Sequence, residues 1–199
     1  QPFEFNDLIL TFNGEIYNYV EIRNVLKTYG YKFFTNTDTE VVLKAYDKWG
    51  VDAFKKFNGM WALSIYDKKN RKTILSRDRL GKKPLFYSFD FLNKELFFAS
   101  EMKALKFILN TTLNYNAVKK YLKYGENQNS HETFHKEIYI LKPATYLIFD
   151  MDKIHISNYW DIKKKETSFS IQELENLLES SIKLRLRCDV ESIAASLSG

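Results

Sequence analysis

Cysteine is almost absent: Cys188 stands alone among 199 residues, so no internal disulfide can close, which fits a reducing compartment. Long apolar runs are missing too. No stretch of about 18 apolar residues occurs, so no helix of this sequence could cross a bilayer, and the opening residues lack the charged-then-apolar order of a signal peptide. Both absences lead us to expect a cytoplasmic protein with no membrane partner. A stripe of one charge is also lacking. The net charge is +5 and the pI near 9.0, but lysines and arginines are scattered among carboxylates, which argues against a nucleic-acid partner. The densest cluster, Lys163-Lys164-Lys165, reads as a solvated linker. No internal repeat is visible.

What is present suffices for a core. With 45% hydrophobic residues, the chain can form one or two soluble domains. Leu8 to Phe12 reads as a strand running into a turn at Asn13-Gly14. From Tyr19, the apolar residues Ile22, Val25, Leu26 and Tyr29 recur at helical spacing and stop at Gly30. Val41, Val42, Ala45, Tyr46 and Trp49 repeat the pattern before Gly50. The two helices should share a core-facing side.

The period then changes. Trp61 to Tyr66, Thr73 to Ser76, Leu85 to Phe89 and Glu95 to Ala99 are strand-like runs separated by polar turns, which predicts an antiparallel meander. Helical stretches follow at Met102 to Phe107 and Ala117 to Tyr124. Three more strands are expected at Ile138 to Leu141, Thr145 to Phe149 and Ile154 to Tyr159. Near residue 162 the composition turns polar and lysine-rich. Ser170-Ile171-Gln172-Glu173 then has capping-box spacing ahead of Leu174, Leu177, Leu178 and Ile182, and Ser192 to Leu197 reads as a buried strand ending at Ser198-Gly199. A boundary is therefore expected between residues 1–162 and 163–199.

Several short motifs occur in a telling order. They are Asn13-Gly14-Glu15-Ile16-Tyr17-Asn18, Thr37-Asp38-Thr39-Glu40, Asn58-Gly59-Met60-Trp61-Ala62, Arg77 to Tyr87, and Phe98-Ala99-Ser100-Glu101-Met102-Lys103-Ala104-Leu105. In order and spacing the chain resembles glutamine-hydrolysing asparagine synthetases, more loosely also through Leu141-Lys142-Pro143, Tyr159-Trp160-Asp161 and Arg187-Cys188-Asp189-Val190 to Leu197-Ser198-Gly199.

The resemblance implies an α+β fold of the N-terminal-nucleophile hydrolase type, two antiparallel sheets between helical layers, missing its N-terminal part. The first helix and strand of an α/β ATP pyrophosphatase domain would follow. In that family an N-terminal cysteine attacks the glutamine side-chain amide, with its own α-amino group as base. Gln1 corresponds to a position well inside the domain, so the resemblance places the nucleophile upstream and implies that this piece alone is inactive. It also implies that the Asn13 side chain and the Gly14 backbone N–H form the oxyanion hole, and that Glu15 and Asp38 hold the substrate's α-ammonium group. From the residues alone, taken in isolation, Asn13-Gly14 reads better as a hairpin turn and Asp38 as a helix N-cap.

By the same resemblance, Leu197, Ser198 and Gly199 begin a phosphate loop for ATP, with Mg held by carboxylates beyond it; neither should bind well to this piece. Glutamine, aspartate and ATP are the implied partners of the parent, and a homodimer is allowed for. Its implied reaction is ATP-dependent amidation of aspartate through an aspartyl-adenylate. Alternatives are a β-lactam-synthetase-like enzyme and a noncatalytic scaffold. Two departures, Glu191-Ser192-Ile193 for Pro-Val-Gly and Lys142-Pro143-Ala144 for Pro-Pro-Gly, bear on local turn geometry.

Other features read as structural. Arg77, Asp78 and Arg79 suggest a buried ion-pair network that fixes strands in preference to a direct catalytic role, while Trp61, Tyr66, Phe86, Tyr87, Phe97 and Phe98 suggest core. His131-Glu132-Thr133-Phe134-His135 matches the H-E-x-x-H of zinc proteases, but it follows a loop-like stretch and runs into a strand, so no metal site is expected. Cys188 reads as a small packed residue.

Overall fold

The computed structural model describes residues 1–90, 92–125, 131–150, 153–162 and 170–187. The chain divides into two compact units, Gln1–Asp161 and Ile162–Gly199. In the first unit the strands are β1 (Phe3–Phe5), β2 (Leu8–Ile16), β3 (Gly59–Asp67), β4 (Lys72–Arg77), β5 (Phe86–Asp90), β6 (Glu95–Ala99), β7 (Tyr139–Ile140), β8 (Thr145–Phe149) and β9 (Ile154–Asn158). The helices are α1 (Tyr19–Thr28), α2 (Asp38–Trp49), the single-turn α3 (Ala53–Lys56), α4 (Met102–Ile108) and α5 (Tyr115–Tyr124).

Two antiparallel sheets result, one in the order β1-β2-β3-β4-β8-β9 and one in the order β6-β5-β7. Side chains alternate along a strand, so each face of the larger sheet gathers its own set. Leu10, Phe12, Leu63, Ile65 and Ile74 pack with Ile22 and Leu26 of α1 and Val41, Val42 and Ala45 of α2. Ala62, Leu75, Leu147 and Phe149 face the other way and meet Leu85, Tyr87 and Leu141 of the smaller sheet's layer. Burial on both faces explains why Trp61 to Ile65 reads as an unbroken buried run. Helix α4 packs on β6 and β5. Helices, sheet, sheet and helix follow in that order, the α+β layering expected.

The expected turn at Asn13-Gly14 is not formed. Strand β2 passes straight through it, with Asn13 opposite Ala62 and Gly14 opposite Trp61. Glycine is needed there for room: a Cβ on Gly14 would lie 2.1 Å from the Met60 carbonyl oxygen, and one on Gly59 would lie 2.1 Å from the Glu15 carbonyl oxygen. The paired backbones leave no room for a Cβ at either glycine, and Asn-Gly chemistry imitates a hairpin signal.

The expected meander is likewise two structures. β3 and β4 pair in one sheet, β5 and β6 in the other, and the free side of β4 is taken by β8. The chain changes sheets at Leu80-Gly81, where Gly81 has φ 66°. Around this crossover lie Arg77, Asp78 and Arg79, and their partners are backbone groups instead of one another. Arg77 donates to the carbonyls of Lys83 (2.8 Å), Leu141 (2.7 Å) and Gly81 (2.7 Å). Asp78 accepts from the N–H groups of Trp61, Leu80, Lys82 and Lys83. Arg79 donates to the Lys55 carbonyl at 2.9 Å and lies over the Trp160 ring. The trio does fix strands, through main-chain bonds.

Ala144, where the resemblance implies glycine, adopts the left-handed conformation at φ 58° and is held by N–H donation to the Asp78 carbonyl at 2.9 Å. A non-glycine residue in that conformation carries a strain of about 1 kcal/mol. Of the aromatic residues expected in the core, Trp61 and Tyr87 are buried, Phe86, Phe97 and Phe98 half-buried, and Tyr66 exposed.

In the second unit, α6 (Ile171–Arg185) opens with the expected capping box: Ser170 Oγ accepts from the Glu173 N–H and the Glu173 carboxylate accepts from the Ser170 N–H. Lys163-Lys164-Lys165, Cys188, the strand expected at 192–197, and Leu197, Ser198 and Gly199 lie outside the described residues.

Candidate active site

One edge of β2 is only partly covered. β1 pairs with β2 as far as Leu10. Further along, the Gln1 side chain takes over, donating Nε2–H to the Phe12 carbonyl (2.6 Å) and accepting the Phe12 N–H (2.8 Å). At the far end the Ile16 N–H donates to Asp38 Oδ2 at 2.9 Å. Alternate residues of an antiparallel strand turn their backbone groups to the same side, so the N–H of Gly14, between Phe12 and Ile16, faces this edge. Trp61 opposite it agrees, since its own N–H and carbonyl turn the other way, to Asp78. The result is an opening one residue wide. Two residues of strand, about 6.8 Å, separate the Gly14 N–H from the N–H that holds Asp38, comparable with the reach of an extended glutamine from its α-nitrogen to its side-chain oxygen.

Asn13 points out of the sheet beside that opening. With Thr11, Ala62 and Ser64 it floors a pocket of about 250 Å³ whose opposite wall includes Leu85, Phe98 and Ser100. Asn13 Nδ2 donates to Ser100 Oγ at 3.1 Å. The four candidate residues are therefore neighbours along one strand end, yet they do not share one cavity. Asn13 lines the pocket, Gly14 and Asp38 lie on the strand edge, and Glu15 is exposed beyond the pocket wall. Ser100 and Gln1 were not candidates from sequence. Ser100 lies inside a recognisable motif, but only its contact with Asn13 singles it out.

Asp38 is the first residue of α2, and Thr37 precedes it as N-cap, so the capping reading of Asp38 is corrected. Burial pushes its carboxyl above the ordinary range, against the N–H bonds from Ile16 and Thr39 that favour the charged form. The loop before it is fixed by two cations. Arg23 donates to the Thr37 carbonyl (3.0 Å) and to Asn36 Oδ1 (3.4 Å) while lying over the rings of Tyr19 and Phe33. Lys44, 1% exposed, pairs with Glu40, donates to the Lys32 carbonyl, and sits 4.7 to 5.0 Å from the ring centroids of Phe5, Phe33 and Phe34.

Glu40 is fully buried and also accepts the N–H groups of Phe34 and Thr35 and the Thr35 hydroxyl. Burial raises its pKa, but the Lys44 ammonium and these donors outweigh burial and bring it from 4.5 down to about 2. A carboxylate depressed on folding contributes stability above its unfolded pKa and loses it as pH falls. Glu40 should thus contribute about 3 kcal/mol at neutral pH, lost between about pH 4.5 and about pH 2. Urea unfolding of wild type and Glu40→Gln across that window is the check; the stability gap should narrow on acidification, and a constant gap would refute the assignment.

The zinc-protease-like motif is not helical. His135 bridges to Leu113, Glu132 bridges to Tyr139, and the His131 ring stacks on Tyr139 at 6.1 Å, so the two histidines do not line one helical face. Among the described residues no group of three His, Cys, Asp or Glu could hold a metal ion, and no helix is long and apolar enough to cross a membrane.

Helical and sheet layers in this order, with an open strand edge, define the fold class of the N-terminal-nucleophile amidotransferases. A solved structure of glutamine phosphoribosylpyrophosphate amidotransferase from B. subtilis superimposes with a TM-score of 0.56 at 19% identity, over 80% of this chain and 32% of that one. At that identity the likeness concerns fold alone. The chain belongs to the glutamine amidotransferase domain family, which it matches over residues 1–160, and within it is asparagine-synthetase-like. A Methanocaldococcus jannaschii protein provisionally named asparagine synthetase (glutamine-hydrolyzing) 2 is 38% identical over 97% of this chain and 38% of its own length. The asparagine synthetase (glutamine-hydrolyzing) 3 of Bacillus subtilis is 28% identical over 96% of this chain and 31% of its own length. The chain thus spans about a third of the curated relatives it matches.

Proposed function

We propose that residues 1–161 form most of the glutamine-hydrolysing half of a cytoplasmic asparagine synthetase. The supporting observation is the one-residue opening in the β2 edge, with the Gly14 N–H and the Asn13 amide at one end and the Asp38 carboxylate at the other. A glutamine laid along it would put its side-chain carbonyl at the donors and its α-ammonium at Asp38, with Glu15 adding a second carboxylate. The nucleophile is a cysteine thiolate supplied ahead of Gln1, as the resemblance implies. Its sulfur bonds to the amide carbon, the C=O electron pair moves to oxygen, and Asn13 and Gly14 donate to that oxyanion. Collapse expels the nitrogen as ammonia after it takes the proton that the cysteine's α-amino group removed from the thiol, and water then cleaves the thioester to give glutamate and the free thiol. The ammonia would pass to a second domain that amidates aspartate through an aspartyl-adenylate. Leu197, Ser198 and Gly199 would begin its ATP loop, and Mg would neutralise phosphate charge there.

Asp38→Asn in the full-length gene product tests the reading, because it keeps an oxygen for the Ile16 N–H and removes the charge. Contact with the α-ammonium group exists in ground and transition states alike, so KM for glutamine should rise by about 10- to 100-fold with kcat little changed. An unchanged KM would remove Asp38 from the binding site.

A further inference from the structure

The two walls of the pocket beside Gly14 come from different sheets. Asn13 belongs to β2, while Ser100 directly follows β6 and precedes α4. Asn13 Nδ2 spans the gap to Ser100 Oγ at 3.1 Å, the contact that ties the Asn13 amide to the opposite wall. An asparagine amide has two N–H donors and a soft terminal torsion with broad preferences. Left alone at a half-open site, it would sweep its donors over a wide arc. With one N–H committed to Ser100 Oγ, the amide plane is set and the second N–H is aimed in one direction. The hydroxyl itself is well placed to impose this: Ala99, its neighbour, is paired with Phe86 in the smaller sheet, and Ser100 is half-buried.

We infer that Ser100 is a positioning residue for glutamine hydrolysis, fixing the Asn13 amide so that one N–H remains aimed at the developing oxyanion. The inference rests on the function proposed above. It differs from a packing role because Ser100 acts only through Asn13, and only when charge builds on the amide oxygen. A donor that must be oriented in advance loses its advantage when it is free to rotate, since reorienting it then adds to the barrier.

The experiment is a double-mutant cycle in the full-length gene product, with glutamine as the varied substrate and thermal unfolding as the control for folding. Ser100→Ala should lower kcat about tenfold while KM stays within about twofold, because the contact matters in the transition state and not on binding. Ser100→Thr, which keeps the hydroxyl, should restore most of the rate. Added to Asn13→Ala, Ser100→Ala should cost nothing further. If the two losses multiply, or if Ser100→Ala is silent while Asn13→Ala is impaired, Ser100 does not act through Asn13 and the inference falls while the proposed function stands. If Asn13→Ala itself hydrolyses glutamine at the wild-type rate, the proposed function fails, and the role of Ser100 fails with it.

Discussion

Asp78→Ala should destabilise the protein by about 3 to 5 kcal/mol, a large share of the roughly 5 to 15 kcal/mol that holds a domain folded. Asp78 is 1% exposed. Its carboxylate gathers N–H groups from Leu80 (3.0 Å), Lys82 (2.9 Å) and Lys83 (2.9 Å) in the crossover and from Trp61 (3.3 Å) in β3. Removing it strands four donors at once and leaves the neighbouring Arg77 guanidinium buried without its nearby opposite charge. Water can reach Leu80 and Lys82 on the exposed side of the loop, which keeps the loss below the sum of four orphaned donors. Asp78→Asn should fall between, since an amide offers one acceptor where the carboxylate offers two. Urea denaturation of the three proteins decides it, and a loss under about 1 kcal/mol for alanine would show that solvent replaces the carboxylate.

The second large effect is on chemistry. In the full-length gene product, Asn13→Ala should lower glutamine-driven turnover by about 10²- to 10³-fold, equivalent to about 2.7 to 4 kcal/mol of transition-state stabilisation, and spare synthesis driven by ammonium. The oxyanion exists only during amide cleavage, so a donor to it has nothing to do when ammonia is supplied directly. The side chain is exposed in β2 and its loss opens no cavity, so folding should be intact. Steady-state rates with the two nitrogen donors give the answer; equal losses with both would mean that Asn13 serves the fold or the second reaction instead.

Local patterns were legible in the sequence, and pairings were not. The helical spacing from Tyr19 and from Val41 located α1 and α2, and the capping box at Ser170 located α6, because each signal is complete within a few residues. The strand segments were visible for the same reason. Their partners were not: β4 looks equally ready to pair with β5 or β8, and the choice depends on the Asp78 knot that turns the chain out of the first sheet. Asn13-Gly14 misled because a glycine needed for close strand approach looks identical to one needed for a turn. The charged trio misled because carbonyls and N–H groups, invisible in a residue string, are better partners at that place than the side chains are for each other. For the site, the residues alone favoured local roles for Asn13 and Asp38; only resemblance to a family gave them functional ones, and the β2 edge supplied a geometry. Ser100 escaped because its contact with Asn13 joins positions 87 apart.

The pairing of β4 with β8, which sets Thr73 against Phe149 and Ser76 against Tyr146, also fixes an order of events at the ribosome. When the chain has been synthesised through Arg77, the first four strands and the helices between them are already available, but one flank of the growing sheet ends in β4 with a bare row of amides. Everything from the crossover to Ala144 must emerge before that row is covered. During that interval the β5–β6 hairpin and α4, which packs on it, are made and can settle on their own, since their contacts are local in sequence. The late strand then arrives as the closing piece, and the nascent chain passes through a stage with an adhesive edge that a neighbouring polypeptide could claim.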